Sequence, residues 1–397
     1  MLVDSVDRLS SINFITINTI EGLDNYSSVI DDFVNFPDVF SSVYHQSSYL
    51  KGLFVNTPDL ISWEVCIAQA EEKVIAIIPS YIQRKKLPVK FSVYRLLSFN
   101  LKVLHLVGSQ LAFVNYLSEE SIGHIVKYHL SVMQSHFDLA FIESLEIDGY
   151  LFRSLNKIHK YTLNSASINP NIIHSIEFPD SWEQYLGAMT KKRRYNLKRN
   201  LKVLEKSFSD NIFLKKYEDV DDVRVFINLI DAIYSKTWQS KTLGIKIRSG
   251  SVHQLLDEVL ASSGCFLSYI LYVDNKAVAF IRGYLHKGLY YFEEIGFDMG
   301  WSKYSVGNIL NMLMLEDLMS RENKVSNLDF GFGDNIYKQV LGNKKTLAVN
   351  AFLSMRGSKP YFVVLLIRSF NKIYDVTKGC IENFGLTEKI RKLIKKR

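Results

Sequence analysis

The sequence has few of the residues that mark several classes of protein. Its 397 residues include 7 prolines, 20 glycines and 3 cysteines. So little proline and glycine excludes collagen-like and low-complexity chains. Cys66, Cys265 and Cys380 are too few and too far apart to predict a disulfide framework or a zinc site. We therefore expect a reduced, cytosolic protein.

Long apolar runs are also lacking. The longest plainly apolar stretch of the C-terminal half covers residues 361–367, far short of the ~18 residues that a membrane-spanning helix needs. The first residues, Met1 to Asp4, have neither a basic region nor an apolar core, so they predict no signal peptide.

The chain does contain enough apolar residues for sizeable cores, and its charge is unevenly distributed. Hydrophobic residues make up 47% of the chain and charged residues 22%, which indicates a globular protein of about two domains. The net charge is +7, yet residues 181–208 hold 8 basic and 2 acidic residues, and residues 356–397 hold 11 and 3. The remainder is therefore net acidic, and two local basic segments need an explanation.

Hydrophobic periodicity predicts helices over 182–206, 220–238, 252–260 and 307–319, and strands over 265–273, 277–286, 289–297, 327–330 and 347–353. We expect Asp180 and Glu183 to cap the first helix. The first three strands are separated by turn-sized breaks and predict an antiparallel meander.

The N-terminal half repeats part of this order, with a hairpin over residues 63–70 and 74–83. The arm that begins at Lys73 resembles the arm that begins at Lys276. The sequence therefore predicts two α+β domains in tandem, over residues 1–170 and 171–355, followed by a basic amphipathic tail over 356–397.

One segment has the composition of a phosphate site. A helix N-terminus offers unpaired backbone N–H groups and a partial positive charge, and a glycine there lets a phosphate approach closely. The residues at this helix start are Tyr304, Ser305, Val306, Gly307 and Asn308. An ordinary helix start capped by Ser305 fits the same residues.

A second segment combines two carboxylates, a phenol and an ammonium around flexible glycines. These are Asp329, Asp334, Tyr337 and Lys338, and such groups can orient an amine, remove its proton and protonate a leaving group. A polar turn after a strand is the alternative interpretation. The histidines form no metal-binding pattern, so no metal site is predicted. The absence of a nucleophile elbow and of a Walker loop disfavours a serine hydrolase and a P-loop enzyme.

The basic helix is the third feature. Seven basic residues and no acid lie between Glu183 and Glu205. A solvated helix face is the default interpretation. The alternative is an anionic ligand, which RNA, a CoA phosphate, a phosphorylated glycan precursor or lipid headgroups would all provide. Arg194 and Lys198, together with Asp329 and Lys338 of the second segment, are our candidates for contact with a substrate.

Five segments of the C-terminal half together carry a family resemblance. They are Trp182 to Leu186, Lys192 to Arg199, Tyr290 to Asp298, Tyr304 to Gly307, and Leu328 to Asp334 with Tyr337 and Lys338. In this order they resemble segments of acyltransferases of the GNAT type, in particular the CelD/BcsL group, which is related to the FemAB peptidyltransferases. The resemblance covers about residues 182–352, and the N-terminal half fits more loosely through residues 103–109.

The resemblance implies a GNAT fold, duplicated as in the FemAB branch, and transfer of an acyl group to an amine or hydroxyl. It implies acetyl-CoA or another acyl-CoA as donor, or aminoacyl-tRNA in the FemAB branch. Val306 stands where the family has proline, and the usual GNAT pyrophosphate loop is absent in full. Only Gly307 and the helix start remain to hold the donor phosphates.

Together with these features, the resemblance implies a cytosolic, acyl-CoA-dependent N- or O-acyltransferase that acts on a sugar or cell-envelope polysaccharide precursor. Backbone N–H groups of residues 290–297 would polarise the donor carbonyl. Glu294 or Asp334 would accept the proton of the acceptor, and Tyr337 would protonate the thiolate. Glu293 and Glu294 alternate along a strand, so we expect only one in the cleft.

Two other functions fit the same sequence. One is transfer of an aminoacyl group from charged tRNA, as in the FemAB branch; no long heptad arm of that kind is visible here. The other is a binding module for a nucleotide sugar or a lipid, without turnover. The end of the tail, with apolar residues Leu386, Ile390, Leu393 and Ile394 among basic ones, predicts peripheral contact with an anionic membrane; a solvated end is the alternative.

Overall fold

The computed structural model describes residues 12–91, 94–165, 170–208, 211–237, 240, 251–321 and 325–383. Its helices are α1 (Ile20–Asn25), α2 (Ser27–Asn35), α3 (Ser47–Asn56), α4 (Glu119–Met133), α5 (Tyr150–Asn156), α6 (Trp182–Ala188), α7 (Lys191–Phe208), α8 (Val220–Tyr234), α9 (Ser251–Ser262), α10 (Val306–Ser320), α11 (Ile336–Leu341) and α12 (Lys359–Asn383).

The strands are β1 (Ile12–Ile17), β2 (Val39–Phe40), β3 (Leu60–Ala70), β4 (Lys73–Phe91), β5 (Tyr94–Leu106), β6 (Ala112–Val114), β7 (Leu139–Glu146), β8 (Tyr161–Ser165), β9 (Asn171–Glu177), β10 (Ile212–Tyr217), β11 (Ser268–Val273), β12 (Lys276–His286), β13 (Leu289–Phe297), β14 (Asn327–Phe332) and β15 (Lys344–Met355). No helix in these described ranges is long and apolar enough to cross a membrane.

The chain folds into two compact units that are not consecutive in sequence. The first contains the described residues of Met1–Asn18, Pro58–Pro170 and Leu347–Arg397, and the second contains Thr19–Thr57 and the described residues of Asn171–Thr346. The units therefore differ from the predicted domains: an early segment joins the second unit, and the C-terminal segment joins the first. Each unit has a mixed sheet flanked by helices, so the predicted α+β class is confirmed.

Both units use the same order of strand pairings. In the first, β1, β3, β4 and β5 pair antiparallel in succession, and β5 then pairs parallel with β7. In the second, β10 to β13 pair antiparallel in succession, and β13 pairs parallel with β14. A helix connects each parallel pair, α4 in one unit and α10 in the other. The predicted repeat of hairpins is part of this wider duplication.

Local turn chemistry explains the meander β11–β12–β13. Asp274 and Asn275 both have positive φ, which matches the right-handed twist of a two-residue hairpin. In the turn between β12 and β13, Lys287 and Gly288 also both have positive φ. The observed strands agree with the prediction, except that β11 begins at Ser268, three residues after the predicted start.

The sheet of the second unit buries a core on each face. Helices α6, α7 and α10 cover one face, where Tyr290, Phe292 and Phe330 are buried. Helices α8 and α9 cover the other face, where Phe226, Phe280 and Tyr284 are buried. We call these the α10 face and the α8 face; the chemistry of the candidate site is divided between them.

The predicted basic helix is two helices. Helix α6 ends before Met189, which has extended backbone angles (φ −75°, ψ 152°), and α7 begins at Lys191. The expected cap by Asp180 is wrong by one residue, because Ser181 is the N-cap and its hydroxyl accepts from the Gln184 N–H.

The segment predicted as a basic amphipathic tail begins as part of the first unit. Val363, Val364 and Ile367 of α12 are buried against Val89 and Phe352. The apolar and basic residues predicted for the end of the tail, from Leu386 onward, lie outside the described residues.

Candidate active site

Two neighbouring parallel strands diverge at the centre of the second unit. Strands β13 and β14 pair over only three positions, which end at Tyr291 and Asp329. After that point β13 continues to Phe297 beside β12, whereas β14 continues beside β9. The divergence opens a wedge at the C-terminal ends of both strands. A strand edge carries backbone N–H groups at regular spacing, which can polarise a carbonyl held in the wedge.

A β-bulge lies on β13 where the wedge begins. Arg282 of β12 pairs with Glu294, but Gly283 pairs with Phe292, so Glu293 is an extra residue in β13. A bulge breaks the alternation of side chains between faces. The expectation that Glu293 and Glu294 point to opposite faces is therefore wrong.

Both bulge carboxylates belong to one polar cluster on the α8 face. The Tyr44 hydroxyl donates a short hydrogen bond to Glu293 Oε1. Glu294 Oε2 lies 3.7 Å from Arg282 Nη1, and its side chain is 20% exposed. Tyr44 precedes α3, so the early segment that joins the second unit contributes directly to this cluster.

A buried ion pair between Asp257 and Arg282 lies inside this cluster, and it was not predicted from the sequence. Asp257 Oδ2 of α9 lies 3.5 Å from Arg282 Nε, and both side chains are at most 3% exposed. The Tyr284 hydroxyl donates to Asp257 Oδ1 at 2.6 Å. Burial raises the pKa of Asp257 to about 6, although Arg282 and Tyr284 act in the opposite direction. The cluster holds three carboxylates and one guanidinium, so it attracts cations.

The predicted phosphate segment forms the start of α10. Ser305 has a left-handed backbone (φ 56°) and makes no side-chain capping bond, and the first turn of α10 contains no acid. Among the described residues, the backbone N–H groups of Val306 and Gly307 have no acceptor. Such a helix start is suited to an anion, so the residues present fit the phosphates of an acyl-CoA donor.

The corresponding helix of the first unit is different. Ser118 caps α4 by accepting from the Ser121 N–H, and Glu119 and Glu120 occupy its first turn. A capped, acidic helix start repels an anion. Of the two equivalent helices, only α10 has the electrostatics of a phosphate site.

The start of α10 lies beside the end of β13. A Cβ on Gly307 would be 3.2 Å from Phe297 Cδ1, so the glycine allows close packing of helix on strand. Val306 is fully buried and contributes only its backbone, and Asn308 is exposed. The Tyr304 ring packs on Phe208 of α7 with centroids 5.2 Å apart.

The glycine-rich segment after β14 is held by its own side chains. Asp329 Oδ1 accepts from the Gly331 N–H at 2.8 Å, and burial raises the pKa of this carboxyl. Lys338 is buried, and its Nζ donates to the carbonyl oxygens of residues 330, 331 and 332 at 2.5, 3.2 and 3.1 Å. The three donors of Lys338 therefore fix the backbone of the wedge, where we had expected contact with the substrate.

Asp334 and Tyr337 lie at the same end of β14. Asp334 Oδ1 accepts hydrogen bonds from His174 Nε2 (2.6 Å) and Gln339 Nε2 (2.9 Å), and in that order they lower its pKa. The Tyr337 ring lies 6.0 Å from the rings of both Phe292 and Phe330 on the α10 face. Burial raises the pKa of Tyr337, which keeps its hydroxyl protonated.

The predicted catalytic residues thus occupy different parts of the wedge. Glu294 lies on the α8 face with Arg282, Tyr337 lies on the α10 face, and Asp334 is bound to His174 at the open end. Arg194 is used within the fold, since its Nη1 donates to the carbonyls of Leu186 and Gly187 at the end of α6. Lys198 is exposed on α7.

Sequence reasoning missed Tyr44, His174, Asp257 and Arg282. Their partners lie up to 249 residues away along the chain, and none has a motif of its own. In the described ranges no group of His, Cys, Asp and Glu could hold a metal ion.

Comparisons with known proteins agree with this architecture. Residues 191–339 match the family model of the acetyltransferase (GNAT) domain. Among solved structures, FemX is similar with a TM-score of 0.60 at 11% identity, covering 89% of this chain and 100% of FemX. Comparison with curated proteins found no related sequence.

Two further solved structures are similar in fold. The C-terminal domain of a protein described as a lysylphosphatidylglycerol synthetase from Agrobacterium fabrum has a TM-score of 0.52 at 11% identity, covering 86% of this chain and 95% of that one. A protein of unknown function from Bacteroides thetaiotaomicron has a TM-score of 0.50 at 9% identity, covering 87% and 100%. At these identities the likeness concerns the fold alone, and the family model supports a GNAT-type fold for residues 191–339.

Proposed function

We propose that this protein is an acyl-CoA-dependent acyltransferase, and that of the two expected acceptor nucleophiles, an amine or a hydroxyl, it uses an amine. The observation that carries the proposal is the wedge between β13 and β14, with an uncapped helix start at one end and a carboxylate-bearing bulge on its α8 face. The donor is acetyl-CoA or another acyl-CoA, which supplies an activated thioester.

The donor side is the α10 face. The N–H groups of Val306 and Gly307 bind the donor phosphates, and the close contact of Gly307 with Phe297 sets α10 against the strand that receives the thioester. Backbone N–H groups along β13 stabilise the negative charge that develops on the carbonyl oxygen.

The acceptor side is the α8 face. Three carboxylates around Arg282 favour an ammonium over a neutral hydroxyl or an anion. Glu294 accepts a proton from the amine, directly or through a water molecule. The neutral amine nitrogen then bonds to the carbonyl carbon as the C–S bond breaks, and the Tyr337 hydroxyl donates its proton to the departing thiolate. The proton that the nitrogen loses as the amide forms returns through water to the Tyr337 phenolate. The products are an amide and free CoA.

Asp334 is the second candidate for the base. It is ionised and held in place by His174, but its lowered pKa makes it a weaker base than a carboxylate of ordinary pKa. Substitution of each carboxylate separately distinguishes the two.

The acceptor molecule is a sugar or cell-envelope polysaccharide precursor in this proposal. This choice of acceptor is supported by the resemblance of the motifs to those of the CelD/BcsL group, whose members are of the cellulose-biosynthesis type. The alternative is a FemAB-like transfer from aminoacyl-tRNA, supported by the exposed basic side chains of α7 and by the FemX-like fold. A non-catalytic module for a nucleotide sugar or lipid is the third possibility.

Thermal stability measured with a panel of CoA thioesters tests the proposal. Acetyl-CoA or another thioester should raise the melting temperature, because a ligand that binds only the native state stabilises it. Free CoA, dephospho-CoA and a thioester without the nucleotide are the matched controls. No stabilisation by any CoA thioester would contradict an acyl-CoA donor, and stabilisation by charged tRNA alone would favour the FemAB-like alternative.

A further inference from the structure

Helix α7 has one buried side and one strongly basic side. Leu204 is buried in the core of the α10 face, and Leu197 is also buried. Phe208 packs on Trp301 with centroids 5.1 Å apart. At 100° per residue, the opposite third of the helix surface holds seven exposed side chains, which we call the outer face: Lys191, Lys192, Tyr195, Arg199, Lys202, Val203 and Lys206.

The outer face has no countercharge within its helix arc. In the described residues, none of its five basic side chains forms an ion pair, and the only acid of α7, Glu205, lies to one side of the arc. Lys202 and Lys206 are four residues apart, a spacing at which like charges destabilise a helix. In the free protein these neighbouring positive charges repel one another. Binding of an anionic partner would remove this repulsion.

The shape of the outer face favours a flat partner. It is the convex side of a single helix, and from Lys191 to Lys206 it is about 22 Å long at 1.5 Å per residue. Single-stranded RNA binds grooves with successive aromatic platforms, whereas this face has one aromatic ring, Tyr195, which is 64% exposed. The major groove of an RNA duplex is too deep and narrow for side chains to read.

We infer that the outer face of α7 docks the protein onto an anionic lipid bilayer. Its basic side chains contact the headgroups, and Tyr195 and Val203 lie at the level of the interface. The apolar side of α7 stays in the core, so attachment is electrostatic and reversible. Phe208 contacts Tyr304, next to the proposed phosphate site, so docking holds that end of the wedge near the bilayer.

Sedimentation of the full chain with vesicles tests this inference. The vesicles are pure phosphatidylcholine, or phosphatidylcholine with phosphatidylglycerol. We expect binding at low salt to the phosphatidylglycerol vesicles alone, and release near 1 M salt, where the screening length falls to about 3 Å.

The test variant is Lys192→Glu/Arg199→Glu, and its matched control is Lys73→Glu/Lys276→Glu, which makes the same change in net charge at two exposed hairpin positions. We expect the α7 variant to lose roughly thirtyfold or more in vesicle partitioning, from the contribution of each basic residue near an anionic surface. The control should lose less than a few-fold. Melting temperature and circular dichroism establish that both variants are folded.

Three results would overturn the inference. They are absence of binding by the unmodified protein, equal binding by the α7 variant and the control, and a stronger, α7-dependent affinity for an RNA oligonucleotide than for the vesicles. Thioester-induced stabilisation is measured on the same proteins. Because it reports the donor site alone, failure of membrane docking and failure of the proposed activity are distinguishable.

Discussion

His174 Nε2 lies 2.6 Å from Asp334 Oδ1. The histidine is fully buried in β9, whereas the aspartate side chain is 47% exposed at the open end of the wedge. A buried side chain therefore fixes the position of a carboxylate that solvent and ligands can reach. The contact also favours the ionised form of Asp334, since it is the largest cause of its lowered pKa.

His174→Ala should raise the pKa of Asp334 toward its ordinary value. If Asp334 is the base, the acid limb of the kcat/KM pH profile then moves to higher pH, because protonation at a given low pH becomes more complete. His174→Gln retains an N–H donor and should restore the profile in part. Superimposable profiles for the unmodified protein and His174→Ala would show that Asp334 does not limit the rate.

Asp334→Asn should lower turnover by on the order of 10²–10⁴-fold while leaving the fold intact, if Asp334 accepts the proton. Its side chain is exposed and outside the core, so the melting temperature serves as the control. Full activity with an unchanged pH profile would assign the base elsewhere, with Glu294 next.

If Glu294 accepts the proton of the amine, Glu294→Gln should lower kcat by on the order of 10²–10⁴-fold. Glu293→Gln is the matched variant, because the two residues share the bulge but only Glu293 accepts from Tyr44. We expect Glu293→Gln to raise KM for the amine with a smaller effect on kcat. Equal losses of kcat in both variants would contradict this division of roles.

Gly307→Ala should weaken binding of the acyl donor. The new Cβ would be 3.2 Å from Phe297 Cδ1, so helix and strand must separate slightly. Loss of one backbone contact to a phosphate costs on the order of 1–3 kcal/mol. Gly187→Ala in α6 is the control, since nothing lies within 4 Å of its Cβ position. Calorimetric titration with acetyl-CoA measures both; equal affinities would rule out this site.

Asp257→Asn should change how stability depends on pH. Burial raises the pKa of Asp257 from 3.8 to about 6, so between these values the native state binds a proton that the unfolded state has released. The contribution of Asp257 to stability is therefore complete below about pH 4 and falls as the pH rises to about 6. The variant lacks this fall, which amounts to on the order of 2–3 kcal/mol.

Denaturant unfolding at pH 4, 5 and 6 measures this difference, with Asp231→Asn on the exposed side of α8 as the control. The free energy of unfolding of the native sequence should decrease across the range relative to Asp257→Asn. Parallel curves would mean that Asp257 does not carry a raised pKa.

The elements that depend on local chemistry were predictable from the sequence. The strands of the meander and helix α10 follow from side-chain periodicity and from turn residues such as Asp274 and Asn275, which tolerate a left-handed backbone. The family signature also led to Asp334 and Tyr337, which lie beside the wedge.

The remaining features depend on tertiary structure. The bulge at Glu293 is a property of the register between β12 and β13, which single-strand periodicity does not contain. His174 and Asp334 are 160 residues apart, and Tyr44 enters the site only because its segment folds with the second unit. Lys338 matches the family signature in the sequence. Only its contacts in the structure reveal that its ammonium group binds the backbone after β14.

Release of free CoA from acetyl-CoA and longer acyl-CoAs, followed chromatographically with matched amine and hydroxyl acceptors, tests the central claim most directly. The account predicts CoA release that requires an amine, produces an amide in equal amount, and falls by on the order of 10²–10⁴-fold in Glu294→Gln. Release with hydroxyl acceptors alone would contradict the amine acceptor. No acceptor-dependent release from any thioester, under conditions where the protein is folded, would contradict the acyltransferase itself.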